Sequence, residues 1–198
     1  TFSSYVSGSG CKSGIGAFFI GDVGIVNYGP CVGDPGECLG FGLCGRVKEF
    51  LCQEKGEDTI ISFSASLARP CFRQTGFSYL QDALQGISSR YSIEISEQRC
   101  MIRSSLDKEN HEASFAIFCK GVQCQVSNGP KLRTGAPDSY KGPAHDVLIK
   151  GEKETIRVLS SPYMEIFSLQ GKDRFWGSNF LINLPYTQNS LNVFFEKA

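Results

Sequence analysis

A mainly β architecture is predicted for this 198-residue chain: a β-rich α+β fold of antiparallel sheets with one short amphipathic helix and a Cys/Gly-rich N-terminal half. Three observations predict it. Thr59 to Leu67 (TIISFSASL) alternates, with Phe63, Ala65 and Leu67 facing one way and Ser62, Ser64 and Ser66 the other, which is the period of a half-buried strand. From His145 onward, short apolar-rich runs are divided by turn residues. Only Phe77 to Ser88 shows convincing helical spacing, with Phe77, Leu80, Leu84 and Ile87 on one face.

Taken in order, Thr1 to Ser13 is polar and Ser/Gly-rich, an arm that Cys11 would anchor. Ile15 to Val26 is the first core segment, carrying Phe18, Phe19, Ile20, Ile25 and Val26. Tyr28 to Cys52 is so dense in Gly, Pro and Cys that it reads as a loop. At its end Arg46 to Cys52 places Val47, Phe50 and Leu51 at helical spacing and predicts one or two helical turns. Pro70 is expected to end the alternating strand. Tyr91 to Ser96, Cys100 to Ser104 and Ser114 to Cys119 read as strands, and Gly121 to Val126 as a short return. Asn128 to Pro143 is a Gly/Pro-rich loop or linker. The runs His145–Lys150, Thr155–Ser160, Tyr163–Gln170, Asn179–Leu184 and Leu191–Glu196 then predict a meander. The expected organisation is one domain, residues 1–198: a Cys-rich region over residues 1–128, a loop over 129–144 and a Cys-free meander over 145–198.

Composition narrows the function classes. A hydrophobic fraction of 41% with 20% charge is that of a globular chain, not a disordered one. Lys+Arg 20 balance Asp+Glu 20, so no basic surface points to nucleic acid. No apolar run approaches the roughly 18 residues of a spanning helix.

The nine cysteines (Cys11, Cys31, Cys38, Cys44, Cys52, Cys71, Cys100, Cys119 and Cys124) all precede Gly129. Dense cysteines among dense glycines predict a disulfide framework in an oxidising compartment, hence a secreted or surface protein, with the odd thiol able to link a second chain. No N-x-[ST] acceptor is present. A zinc reading has one pair, Cys119 and Cys124 with four residues between them, and His111 to draw on, and would need one more ligand, so no metal and no cofactor are expected.

Three chemical readings compete. The first is a disulfide-stabilised extracellular module, without catalytic activity, that binds a protein partner. The second is a thiol hydrolase: Cys44 at a helical turn facing His145 is an arrangement that activates a thiol, though no local signature surrounds it. The third uses Leu39, Phe41 and Leu43, which alternate with small residues between Cys38 and Cys44 as an apolar prong suited to a partner's pocket or to lipid. This stretch resembles in style the Gly-, Cys- and aromatic-rich fusion loops of class II viral and gamete membrane-fusion proteins, which implies membrane insertion or assembly within a surface glycoprotein. Phe175, Trp176 and Phe180 form an aromatic set suited to a sugar-facing surface or to the core. Carboxylate pairs (Asp34 with Glu37, Glu94 with Glu97) have the spacing of any surface. The G-x-G-x-x-G at Gly40 to Gly45 lacks a preceding strand and predicts no nucleotide site.

Overall fold

A computed structural model describes residues 2–6, 14–33, 43–75, 78–170 and 177–198, with side chains for all of these except 2, 5, 43–46, 68–75, 78–86 and 162. The predicted β class is correct: 74% of the chain is strand and 1% helix. The strands are β1 (Phe2–Val6), β2 (Gly16–Ile20), β3 (Val23–Val32), β4 (Leu43–Lys55), β5 (Asp58–Thr75), β6 (Ser78–Ser96), β7 (Arg99–Leu106), β8 (Ala113–Lys120), β9 (Gln123–Val126), β10 (Lys131–Arg133), β11 (Ser139–Lys150), β12 (Thr155–Ser168), β13 (Phe180–Pro185) and β14 (Ser190–Lys197). They form one antiparallel sheet in the order β1-β2-β3-β8-β13-β12-β14-β7-β6-β5-β4, with β11 beside β12 and the β9–β10 pair beside β11. The sheet curls into a half-barrel.

Curling lets one face of nearly every strand meet in a single core. Phe18, Tyr28, Phe115, Phe180 and Phe195 are fully buried there. The expected alternation in β5 holds, with Phe63, Ala65 and Leu67 inward. Ile15 to Val26 is the predicted core segment, folded as the β2–β3 hairpin around Gly21 and Asp22. The run Ala113 to Cys119 of β8 is buried throughout, so both faces are covered; Ala116, Phe118 and Leu181 form a second cluster with Cys31 and Leu169 on the far side. This is why β8 reads as an apolar run and not as an alternation.

The predicted helix is a strand. Phe77 to Ser88 falls largely in β6, paired to β5 from Thr75↔Ser78 onward. Its helical spacing has a local cause. Ser66 pairs Ser88 while Ala68 pairs Ala83, so the four residues Leu84 to Ile87 stand opposite Leu67 alone, and the period of two is lost there. A short isolated helix is marginal in water, and ladder pairing to β5 outweighs it. Arg46 to Cys52 is likewise β4. Lys48 pairs Ser64 and Leu51 pairs Ser62, with Glu49 at φ 54 forming a bulge that imitates helical spacing. Pro70 does not end β5, which runs on to Thr75. The last strands are no simple meander: β12 lies between β13 and β14, and the two do not pair with each other. The loop 129–144 contains β10 and the start of β11, and β9 pairs with β10 and β11, not with β8.

The disulfide framework is overturned. Among the described residues no Sγ–Sγ pair occurs. Cys100, Cys119 and Cys124 are free thiols in the core, and Cys52 is an exposed free thiol. A chain of this length buries enough apolar surface to fold without staples, and Cys100, Cys119 and Cys124 serve as small core hydrophobes. The disulfide-stabilised extracellular module, and the secretion and glycoprotein reading built on it, lose their basis.

One polar clasp joins the β2–β3 turn to the β11–β12 turn. The backbone N–H groups of Glu152, Lys153 and Glu154 all donate to the Asp22 carboxylate, the last two at 3.1 Å. Desolvation opposes the charge, but these donors together with Asp22's own N–H outweigh it and hold the carboxyl below its ordinary 3.8. A Cβ on Gly151 would stand 2.7 Å from Asp22 Oδ2. Gly151→Ala is therefore expected to cost about 1 kcal/mol in urea unfolding. Asp22→Ala is expected to lower the urea midpoint at neutral pH. Because the folded pKa is depressed, that difference is present above about 4 and closes as pH falls through the folded value. An unchanged difference down to pH 2 would refute the assignment.

Candidate functional site

The strand that shapes the surface is β12. Its first half, Ile156 to Ser160, pairs with β14, and its second half, Glu165 to Ser168, pairs with β13. At the change of partner, Asp146 pairs Leu159 and Ala144 pairs Met164, so His145 alone faces Ser160, Ser161, Pro162 and Tyr163. Gly142 and Pro143 on β11 lie beside this irregularity, and Pro162 is within it. Proline has no N–H to give to a ladder and is tolerated at bulges. Such bulges bend a strand and re-aim its side chains.

A groove of about 490 Å³ lies at this corner, lined by Arg99 of β7, His145 and Asp146 of β11, Leu159 and Ser161 of β12, and Asn192, Phe194 and Glu196 of β14, among others. Period two explains the membership. Leu191, Val193 and Phe195 are buried, so Asn192, Phe194 and Glu196 face outward. Pairing then sets the rows: Met101, Phe194, Leu159 and Asp146 stand side by side, and Arg99, Glu196, Arg157 and Leu148 form the next row.

Arg157 organises the charges. Its Nε and Nη2 donate to Asp146 at 3.0 and 2.8 Å, a bidentate pair, and its Nη1 is 3.7 Å from Glu196 Oε1. The hydrogen bond and charge of Asp146, joined by the charge of Glu196, outweigh desolvation and raise the Arg157 pKa. The three side chains are 42%, 26% and 32% exposed, neither buried nor free in solvent. The Arg99 guanidinium carbon stands 5.5 Å from the Phe194 ring centroid, a cation–π contact. His145 is exposed, with Nδ1 3.3 Å from the Ser160 carbonyl, so the tautomer carrying Nδ1–H donates to it.

Of the residues singled out from sequence, His145 lines this groove among the described residues. Leu39, Phe41 and Trp176 are outside the described residues, as are Cys11 and Cys38; Leu43, Cys44 and Cys71 lie in strands, but their side chains are not described. Cys44 is on β4, and β14, β7, β6 and β5 separate that strand from β12, the neighbour of β11. No ladder brings Cys44 to His145. His111 is exposed beside Glu109 at 3.7 Å, whereas Cys119 and Cys124 are in the core. Sequence reasoning missed Arg99, Asp146, Arg157, Asn192, Phe194 and Glu196. Their only signal is outward alternation in strands already recognised.

No family model matches the chain, and no curated protein matches it. Among solved structures, it is similar to the 4-alpha-glucanotransferase from Thermococcus litoralis, at 9% identity and a TM-score of 0.41, covering 75% of this chain and 22% of that enzyme. At that level the likeness carries no argument about activity.

Proposed function

We propose that the protein binds a neutral polyhydroxylated ligand, a carbohydrate segment, in the corner groove. The observation that carries this reading is a charge set that cancels itself beside an aromatic ring. Arg99 lines the groove with Asp146 and Glu196, and Arg157 just beyond it pairs with both carboxylates, so the local charges cancel and offer little to an ionic ligand. Planar guanidinium, carboxylate and amide groups pair well with the vicinal hydroxyls of a sugar, while Phe194 and Leu159 supply an apolar surface for its C–H face. The groove volume lies within the range of small-ligand sites, and laddered strands hold its walls in place.

The test is a neutral-glycan array followed by calorimetry. Phe194→Ala and Asn192→Ala are each expected to weaken binding about tenfold, about 1.4 kcal/mol. The urea midpoint should move little, since both side chains face outward. Affinity is expected to be nearly independent of salt, because no net charge is neutralised on binding. An array on which no neutral glycan is retained at millimolar protein would refute the proposal.

A further inference from the structure

A second hollow of about 350 Å³ adjoins the first, lined by Ser127, Leu148, Arg157 and Lys197, among others, and sharing Asp146 and Glu196 with it. Both hollows span β14, β12 and β11. They differ in position along the strands. The row Phe194, Leu159, Asp146 belongs to the first, and the row Glu196, Arg157, Leu148 to the second. Two residues of strand separate the rows, about 6.6 Å. The joint between the hollows is therefore the Asp146–Arg157–Glu196 group.

Arg157 has donors left at that joint. Asp146 takes its Nε and Nη2, and at 3.7 Å the Nη1–Glu196 contact is an ion pair too long for a hydrogen bond. The bidentate pair with Asp146 fixes the plane of the guanidinium, so the Nη1 hydrogens have a set direction.

We infer that the two hollows are consecutive subsites of one trough running along the strands, and that the ligand is a linear oligosaccharide of at least two units. Arg157 donates to an oxygen at the linkage between them. The inference rests on the carbohydrate reading of the first hollow. A charged polymer fits poorly, because its repeated ionic groups would meet a joint that is already paired.

The test uses the full chain in calorimetry with cello-oligosaccharides and isomalto-oligosaccharides, each from the monosaccharide to the hexamer. Affinity is expected to rise at least about tenfold between the single unit and the trimer in one series, and then to level off. Ser127→Trp places a large side chain at the exposed edge of the second hollow. It is expected to abolish that rise while leaving single-unit binding and the urea midpoint unchanged. Equal affinity at every length, or a rise that survives Ser127→Trp, overturns the two-subsite inference and leaves the first hollow's binding intact. No binding at any length in either series overturns this inference, and an array that retains no neutral glycan overturns the carbohydrate reading with it.

Discussion

Phe195→Ala is expected to destabilise the protein by about 3–5 kcal/mol, read as a fall in the urea midpoint at unchanged slope. Phe195 is fully buried, with the Phe18 ring centroid at 5.9 Å and that of Tyr28 at 5.6 Å, both tilted. Tyr28 in turn meets Phe115 at 6.1 Å. Truncation removes the apolar burial of one ring and two aromatic contacts of about 0.5–1.5 kcal/mol each. The space left behind cannot readily close, because β14 is laddered to β12 on one side and to β7 on the other. Phe194→Ala provides the internal control. The adjacent residue faces outward, so its loss should cost far less, about 1 kcal/mol or below. A change below about 1 kcal/mol for Phe195→Ala would mean that the curled sheet does not close on this cluster.

The second large effect concerns the thiols. Burial pushes Cys100 and Cys124 from 9.0 up to about 12. Burial, with a contribution from Cys124, pushes Cys119 up as well. At pH 8 the native protein then carries about a thousandfold fewer thiolates at Cys100 and Cys124 than an unfolded chain would. In a timed alkylation pulse with peptide mapping, Cys52 is expected to label promptly in the native state. Cys100, Cys119 and Cys124 should label only on unfolding. Prompt labelling of all four would contradict the core placement, and disulfide-linked peptides among them would restore the cross-linked reading.

The same shifts set an alkaline limit. Unfolded thiols lose their protons near pH 9, whereas the native ones keep theirs to about 12. The unfolded state therefore binds fewer protons in that window, and stability falls as pH rises through it. The contribution is complete below pH 9 and declines by about 1.4 kcal/mol per pH unit for each thiol. Burial raises Tyr91 and Tyr186 too, the latter to about 12, and adds to the decline above pH 10. Urea midpoints that stay flat from pH 8.5 to 11 would overturn this account.

The strands were legible where burial follows a simple period. Thr59 to Leu67 shows its inward face directly, and Ser114 to Cys119 shows a strand covered on both sides. The two false helices, at Arg46 to Cys52 and Phe77 to Ser88, share one cause. A bulge adds residues to one strand only, and the extra residues convert a spacing of two into three or four. A bulge is a relation between two strands, so neither strand's sequence contains it.

The groove was hidden for a related reason. Arg99, Asp146 and Glu196 are far apart along the chain and meet only because β7, β14, β12 and β11 lie side by side. The Ser161-Pro162 pair did carry a signal of interruption. It marks a bend within one strand and not the turn between two.

By itself, the sequence determined the β class, the inward faces of the regular strands and the absence of a net charge. Each of these depends on composition or on near neighbours in the chain. The tertiary structure decided the strand order, the corner in β12, the role of the cysteines and the membership of the groove. These depend on which distant strands exchange hydrogen bonds and on which thiols the closed core surrounds.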